Sequence, residues 1–176
     1  MGIRTNAQND KRTLKNELYS VVIPSDWFSQ EEGGRLGKRE LRNYHLYSLL
    51  WRTPIGKPYI SLFIRSYQKK DGSPIMIKEI RTYEITPMSD FLVKDRLKEI
   101  SVTPNRERVN YVKISDEGTN KVVPYCVFCL FVKNGNMVHS LSISMREVDY
   151  LQIKPQKMID DIFNSFSINN KIKKVK

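Results

Sequence analysis

The chain has 176 residues, of which 40% are hydrophobic and 28% are charged, and its formal net charge is +11. This length and composition are typical of one globular domain with its own core, and no apolar stretch approaches the 18 or so residues of a membrane span. Residues 1–16 carry a net +3 and residues 167–176 a net +4, so most of the excess charge lies at the ends rather than on one folded basic face.

The ends of the chain also differ from its middle in pattern. Residues 1–16 are polar and aperiodic, so we predict a flexible N-terminal segment there, then a single domain over 17–168 and a basic tail over 169–176. The N-terminal segment contains no apolar region of a secretory signal. A chain that begins after a removed signal would look the same, so we expect an extracytoplasmic or envelope location in that case and a cytoplasmic one otherwise.

Strands and a charged loop are predicted in the first half of the domain. Alternating apolar positions predict strands at 17–24, 43–51 and 58–68. Pro24 ends the first strand because it removes a backbone donor. Residues 29–42 contain three glycines and many charges, which indicates a mobile loop. The segment 75–85 is ambiguous between a strand and a short helix.

Two amphipathic helices are predicted. The first covers 86–101, since Thr86 suits the cap, Pro87 suits the first helical position, and the apolar residues fall on one face. The second covers 155–166, where the apolar residues recur at helical spacing; they are Met158, Ile159, Ile162, Phe163 and Phe166.

The clearest strands follow the first helix. A strand is predicted at 109–115, and residues 122–132 are apolar at both alternating positions, so this strand should be covered on both faces of its sheet. Asn134-Gly135 predicts a type I′ hairpin turn. In the returning strand, 137–146, serines occupy alternate positions, which indicates one wet face and a place near the edge of the sheet.

Cys126 and Cys129 form a C-x-x-C motif inside a predicted strand. On a strand, positions three apart face opposite sides of the sheet, about 10 Å apart at 3.3 Å per residue, which is beyond the reach of a disulfide. No second cysteine pair exists to complete a zinc site. We therefore predict buried thiols and neither a metal site nor a redox site.

The sequence lacks a recognisable catalytic constellation. His45 and His139 are the only histidines, and each alternates with apolar residues, so we interpret them as core or cross-strand residues rather than bases. Asp160 and Asp161 are adjacent on a helix and do not converge on one site. No phosphate or dinucleotide loop occurs in its required strand and helix context. We predict a protein that is not an enzyme and has no cofactor.

One strand offers an alternative interpretation. Tyr59, Phe63, Arg65 and Tyr67 share one face of the strand at 58–68, an arrangement that suits stacking of single-stranded nucleic acid. The same pattern describes a strand whose aromatic face lies in the core, and we favour that interpretation.

The order of these signals resembles the Mog1/PsbP-like superfamily, which includes PsbP-related and DcrB-like small bacterial domains. The residues that carry the resemblance are "YSVVIPSDW" at 19–27, the late hairpin "KNGNMVHSLSIS", and the helix that runs into Ser-Phe at 159–168. The resemblance spans about 17–168. It implies an α+β fold, an antiparallel sheet with helices on both faces (an α/β/α sandwich), and a binding or assembly role. PsbP supports photosystem II, Mog1 binds the GTPase Ran, and the bacterial lipoproteins act at the cell envelope.

Two functions therefore remain open. The first is a non-catalytic module that binds another protein through the loop at 29–42, because such loops often carry recognition. In this case the protein could be a lipoprotein of the bacterial envelope. The second is a binder of anions or nucleic acid through the basic loop 35–42 and the basic tails. Both predict the same binding residues, which are Arg35, Lys38, Arg39 and Arg42.

Overall fold

The computed structural model describes residues 10–29, 36–86, 91–93, 96–116 and 122–169. Within these residues the chain forms strands and three helices. The strands are β1 (Lys11–Lys15), β2 (Tyr19–Pro24), β3 (Phe28–Ser29), β4 (Gly37–Glu40), β5 (Tyr44–Arg52), β6 (Ile60–Lys69), β7 (Lys98–Thr103), β8 (Arg106–Asp116), β9 (Val122–Asn134), β10 (Met137–Arg146) and β11 (Ser167–Ile168). The helices are α1 (Ile77–Ile85), α2 (Glu147–Ile153) and α3 (Gln156–Ser165).

The strands form two antiparallel sheets. The large sheet has eight strands in the order β3-β5-β6-β10-β9-β8-β7, with β4 also paired to β5. The small sheet has three strands in the order β1-β2-β11. The protein therefore belongs to the α+β class, as the sequence predicts.

Strand β9 lies deep in the large sheet and is buried on both faces, as predicted. Its residues 126–132 are all buried, whereas Val122 at its start is 62% exposed. Phe128 and Leu130 belong to one core cluster, which also contains Ile159, Ile162 and Phe163 of α3. Val127, Cys129 and Phe131 belong to a second cluster, which contains Ile77 and Ile80 of α1. We call the side of the large sheet that belongs to the first cluster the first face, and the side that belongs to the second cluster the second face.

The small sheet extends the first face. Tyr19, Val21 and Ile23 of β2 are buried in the first cluster. Residues 11–15, which the sequence analysis placed in the flexible segment, instead form β1 along β2. Alternation explains the difference: Leu14 packs against the first cluster and Arg12 stacks on the Trp51 ring at 4.6 Å. The alternate positions, Lys11, Thr13 and Lys15, are exposed.

The first predicted helix is wrong in position. The ambiguous segment 75–85 supplies α1, whose start is tied by a 3.0 Å hydrogen bond from the Met76 amide to the Glu79 carboxylate. The predicted range 86–101 includes β7 from Lys98, and residues 87–90 and 94–95 lie outside the described part of the chain. Leu97 and Ile100 are 46% and 52% exposed. These two residues of the expected apolar stripe remain in solvent, and β7 instead pairs with β8 as the last strand at that edge of the large sheet.

The hairpin of β9 and β10 exists, but with a different turn. Asn134 pairs with Met137, so the two turn residues are Gly135 and Asn136. Gly135 has φ +56° and Asn136 has no positive φ, which is the pattern of a type II′ turn rather than type I′.

Strand β10 is central, between β6 and β9, and not near an edge as predicted. Its serines are tolerated there because neighbouring groups bond them: the hydroxyls of Ser61 and Ser144 lie 2.8 Å apart, and Ser140 donates to Glu84 at 2.5 Å. The predicted terminal helix is confirmed as α3. The short helix α2 was not predicted.

Candidate functional site

Ile77 and Ile80 of helix α1 pack in the second cluster, but the helix is short. Nine residues make a helix about 13 Å long, and the sheet beyond it is open. There the side chains form a depression of about 460 Å³. Among the described residues, its lining combines three cations and a carboxylate with a series of aromatic rings. The charged members are Arg39, Arg65, Lys113 and Glu84, and the aromatic ones include Tyr59, Phe63, Tyr67, Tyr83 and Tyr111.

Serines form the floor of this depression. The register places Ser144 of β10 opposite Ser61 of β6, and Ser142 opposite Phe63. Because serine side chains are short, the centre of the sheet lies lower than the aromatic and basic side chains around it. Alternating serines within an otherwise apolar strand were the sequence signal for this site.

Arg65 lies in the depression, and its side chain is partly exposed. The group stacks on Phe63, 3.7 Å from the ring centroid. Its Nη1 lies 3.4 Å from the Glu84 carboxylate, a longer distance than a strong ion pair has. The side chain is 24% exposed. A guanidinium offers five N–H donors in a planar fork, so Arg65 has the geometry to accept an anion from solvent.

Glu84 is held mainly by hydroxyl groups. Its Oε1 accepts hydrogen bonds from the Tyr67 hydroxyl at 2.7 Å and from Ser140 at 2.5 Å. Burial and the nearby Glu84 charge raise the pKa of Tyr67 above its usual value. The two hydroxyls compensate the carboxylate, which is only 7% exposed, so Glu84 does not depend on Arg65 alone.

Lys113 brings a second cation into the same depression from β8. Burial lowers the pKa of its ammonium, and the positive charge of Arg65 lowers it further. The effect of Arg65 on Lys113 means that the two cations lie within electrostatic reach of each other. Their setting is half-buried, so their interaction is screened less than at the open surface. An anion bound near both would relieve their repulsion.

The structure separates the residues predicted to bind. Arg35 lies outside the described residues. Lys38 stacks over Tyr47 at 6.0 Å and lies 3.7 Å from Glu40, while its neighbour Arg39 on β4 lines the depression. Arg42 is exposed after β4. Residues 37–40 are a strand rather than loop. Arg39 thus reaches the depression, and Lys38, on the alternate position of the strand, does not line it.

The aromatic face of β6 is only partly core. Tyr67 is 1% exposed and belongs to the second cluster, as the favoured interpretation predicts. Tyr59 is 45% exposed, and Phe63 is half-buried along the depression. The four-residue pattern in the sequence therefore does mark an accessible surface at its first three members, a point that the core interpretation missed.

His139 is a core histidine, as predicted. It is 1% exposed, its Nδ1 lies 2.8 Å from the Ser66 hydroxyl, and it contacts the rings of Tyr19 and Phe166. Burial lowers its pKa to about 4. His45 lies opposite Glu40 of β4 and bonds it at 2.8 Å near the surface, which is a cross-strand position as predicted. Neither histidine lines the depression.

Both cysteines are free and buried on opposite faces, as predicted. Burial raises the pKa of Cys126 and raises that of Cys129 to about 12. Since the thiolate is the reactive form, we expect a thiol-reactive disulfide reagent to leave the native protein unmodified at neutral pH and to label two thiols once urea unfolds it. Rapid labelling of the native chain would contradict the buried positions.

A larger cavity of about 890 Å³ lies beside α3 and β2 on the first face. Most of the charged residues on its rim are paired with one another. Lys11 and Lys157 lie 3.1 Å and 3.0 Å from Asp161, and Lys57 lies 2.5 Å from Asp26. Because these charges compensate one another, we take the depression on the second face as the candidate site.

In the described part of the chain, no group of three His, Cys, Asp or Glu side chains is arranged to hold a metal ion. None of its helices has the length and apolar character needed to cross a membrane.

Fold and site together define an α+β protein with a cationic, aromatic depression on an antiparallel sheet. No protein-family model matches the chain, and no curated protein sequence matches it. Among solved structures, a protein of Bacteroides thetaiotaomicron VPI-5482 is similar over 87% of this chain, with 14% identity and a TM-score of 0.51. This chain spans 46% of that protein's length.

Cyanobacterial PsbP (CyanoP) of Synechocystis sp. PCC 6803 is also similar, over 96% of this chain and 98% of that one, with 11% identity and a TM-score of 0.44. A PsbP is thus among the matching structures, as the resemblance at 19–27 and 159–168 predicts. At these identities the likeness concerns the fold alone, and we draw nothing about function from it.

Proposed function

We propose that the protein is a non-catalytic binding module and that the open part of the second face binds an acidic segment of another protein. The observation that carries this proposal is the depression itself, which joins three cations to accessible aromatic side chains beyond the end of α1. Concave, partly apolar sites with a few convergent polar groups are the usual form of binding sites.

Charge supports an acidic partner. Arg39, Arg65 and Lys113 outnumber Glu84 among the described residues of the depression, and the whole chain has a formal net charge of +11. Opposite charge on a partner would speed the encounter and fix its orientation. Tyr59 and Phe63 add the aromatic surface on which interfaces commonly depend.

We also infer that α1 and α3 cover opposite faces of the large sheet, an α/β/α sandwich. Packing of their apolar residues in two separate clusters on alternate positions of β9 supports this inference. In such an arrangement, the shortness of α1 is what leaves the second face accessible. Association with the bacterial envelope stays a prediction, which fractionation of cells with an antibody to the native protein would test.

The proposal is tested by selecting short random peptides from a displayed library on the full chain. We expect the enriched peptides to be acidic and to carry apolar or aromatic residues. A Tyr59→Ser/Phe63→Ser variant should lose them because it removes the aromatic wall. Ile55→Ser is the matched control, since Ile55 is 96% exposed in a turn and does not line the depression. Enrichment of peptides that bind all three proteins equally, or no enrichment, would contradict the proposal.

Single-stranded nucleic acid is the second candidate, favoured by the shared face of Tyr59, Phe63 and Arg65. Stacking on aromatic rings beside cations is its usual mode of binding. It predicts that a labelled oligonucleotide binds with an affinity that falls steeply with salt, with a log–log slope of about −0.7 per phosphate contact. Absence of binding at low salt would remove this candidate.

A further inference from the structure

We propose that the depression contains a specific oxyanion site, in which Arg65 and Lys113 together hold a carboxylate or a phosphate group. This inference rests on the proposed function and names the chemical group that the site recognises. An acidic side chain of the partner segment or a free small anion would carry the same chemistry.

The orientation and contacts of the Arg65 guanidinium favour an oxyanion ligand. Its guanidinium is oriented by stacking on Phe63 at 3.7 Å, while its contact with Glu84 is long at 3.4 Å. Glu84 has shorter hydrogen bonds from Tyr67 and Ser140. An incoming oxyanion would therefore bind the donors of Arg65 without leaving Glu84 uncompensated. A guanidinium held in place by stacking also loses less side-chain entropy when it binds.

Two positive charges lie near each other in a half-buried setting, which also favours an anion. Lys113 and Arg65 disfavour each other electrostatically, and burial disfavours the ammonium further. A bound anion reverses both effects because it supplies the opposite charge where water is partly excluded. The hydroxyls of Ser61 and Ser144 lie in the same depression and offer additional donors.

The surroundings of Lys113 decide how its titration can be observed. Of the residues that the structure describes, the charged ones that line the depression with it are Arg39, Arg65 and Glu84. Burial raises the pKa of Tyr111 well above its usual value and that of Cys129 to about 12, so neither group ionises in the moderately alkaline range. Tyr59 and Tyr83 also line the depression, so a loss of binding in that pH range is assigned to Lys113 by comparison with Lys113→Arg.

The test is calorimetric titration of the full chain with succinate and with inorganic phosphate, followed by competition of each against a selected acidic peptide. We expect Arg65→Gln and Lys113→Gln each to weaken binding about tenfold or more, since hydrogen bonds to charged groups contribute about 1.5–3 kcal/mol. Lys38→Gln is the matched control, because this lysine on β4 stacks over Tyr47 and does not line the depression.

A conservative variant separates the charge of Lys113 from its packing. As the pH rises through the lowered pKa of Lys113, wild type should lose affinity for the anion, while Lys113→Arg should retain it because arginine stays charged. Circular dichroism and urea unfolding check that every variant is folded. Lys113→Gln keeps Arg65 and the two hydroxyl groups of Tyr67 and Ser140 that bond Glu84, so it remains informative if Arg65→Gln destabilises the fold.

The outcomes distinguish the two sources of the anion and the two proposals. If only the peptide binds, and both glutamine variants weaken it, the oxyanion belongs to a partner protein. If succinate or phosphate binds alone with the same dependence, the ligand is a free small anion. If selected peptides depend on Tyr59 and Phe63 but on neither Arg65 nor Lys113, the oxyanion site is wrong while the proposed function stands. If binding of the selected peptides depends on none of these four residues, both proposals are overturned.

Discussion

Acidification from pH 6.5 to pH 4 is expected to reduce the free energy of unfolding by about 3 kcal/mol through His139 alone. The native pKa of this histidine is about 4 because it is buried between Tyr19 and Phe166, and its ordinary value is about 6.5. Within this window the unfolded chain takes up a proton that the native chain does not, so the unfolded state is favoured as the pH falls. Above pH 6.5 the contribution is fully present.

The measurement is urea unfolding at a series of pH values for wild type and for His139→Gln, which does not titrate. The variant should show a flatter dependence of stability on pH between 6.5 and 5. His45→Gln is the matched control, since His45 lies near the surface and bonds Glu40. Carboxylates whose pKa is lowered, such as Glu40 and Asp161, act mainly below this window. Equal slopes for wild type and His139→Gln would contradict the buried neutral histidine.

Truncation of either phenylalanine of β9 is expected to cost about 3–5 kcal/mol, because each leaves a cavity in a different core. Phe128 is 5% exposed in the first cluster and Phe131 is 0% exposed in the second. Since the two side chains lie on opposite faces and belong to separate clusters, the costs of Phe128→Ala and Phe131→Ala should add. Urea unfolding measures both single variants.

Such losses approach the whole stability of a small domain, so the double variant is made with leucine, which removes less volume. The costs of Phe128→Leu and Phe131→Leu should add in that protein within about 0.5 kcal/mol. Val122→Ala is the matched control on the same strand, because Val122 is 62% exposed, and it should change stability by less than about 0.5 kcal/mol. If one of the two phenylalanines behaves like Val122, β9 is open on that face.

The elements that could be predicted are those whose pattern has one interpretation. Strand β9 is apolar at both alternating positions, which only a doubly covered strand explains, and α3 carries a full apolar stripe. The segment 86–101 also carries a cap signal and an apolar stripe. Its end nevertheless forms β7, because β8 offers partners for its backbone hydrogen bonds, whereas a surface helix would have only the partners within itself. Local pattern does not report on a neighbouring strand that is free to pair.

Position within the sheet and the candidate site were harder to predict for a related reason. The serines of β10 suggest solvent, whereas their partners lie across the strand in β6 and in α1, at Ser61 and Glu84. Arg65 and Lys113 are 48 positions apart in the sequence, and only the strand order brings them into one depression. Among the predicted binding residues that the structure describes, Arg39 alone lines it, since alternation along β4 directs Lys38 away.

The most direct test of the binding face is side-chain NMR of the full chain during titration with a selected acidic peptide and, separately, with succinate. With the ligand that binds, we expect the Arg65 Nε–H signal and the Lys113 Cε signals to shift along one binding curve, while the Lys38 Cε signals stay unchanged. Shifts of Lys38 as large as those of Lys113, or no shift at Arg65 and Lys113 with either ligand, would contradict an oxyanion site on the second face.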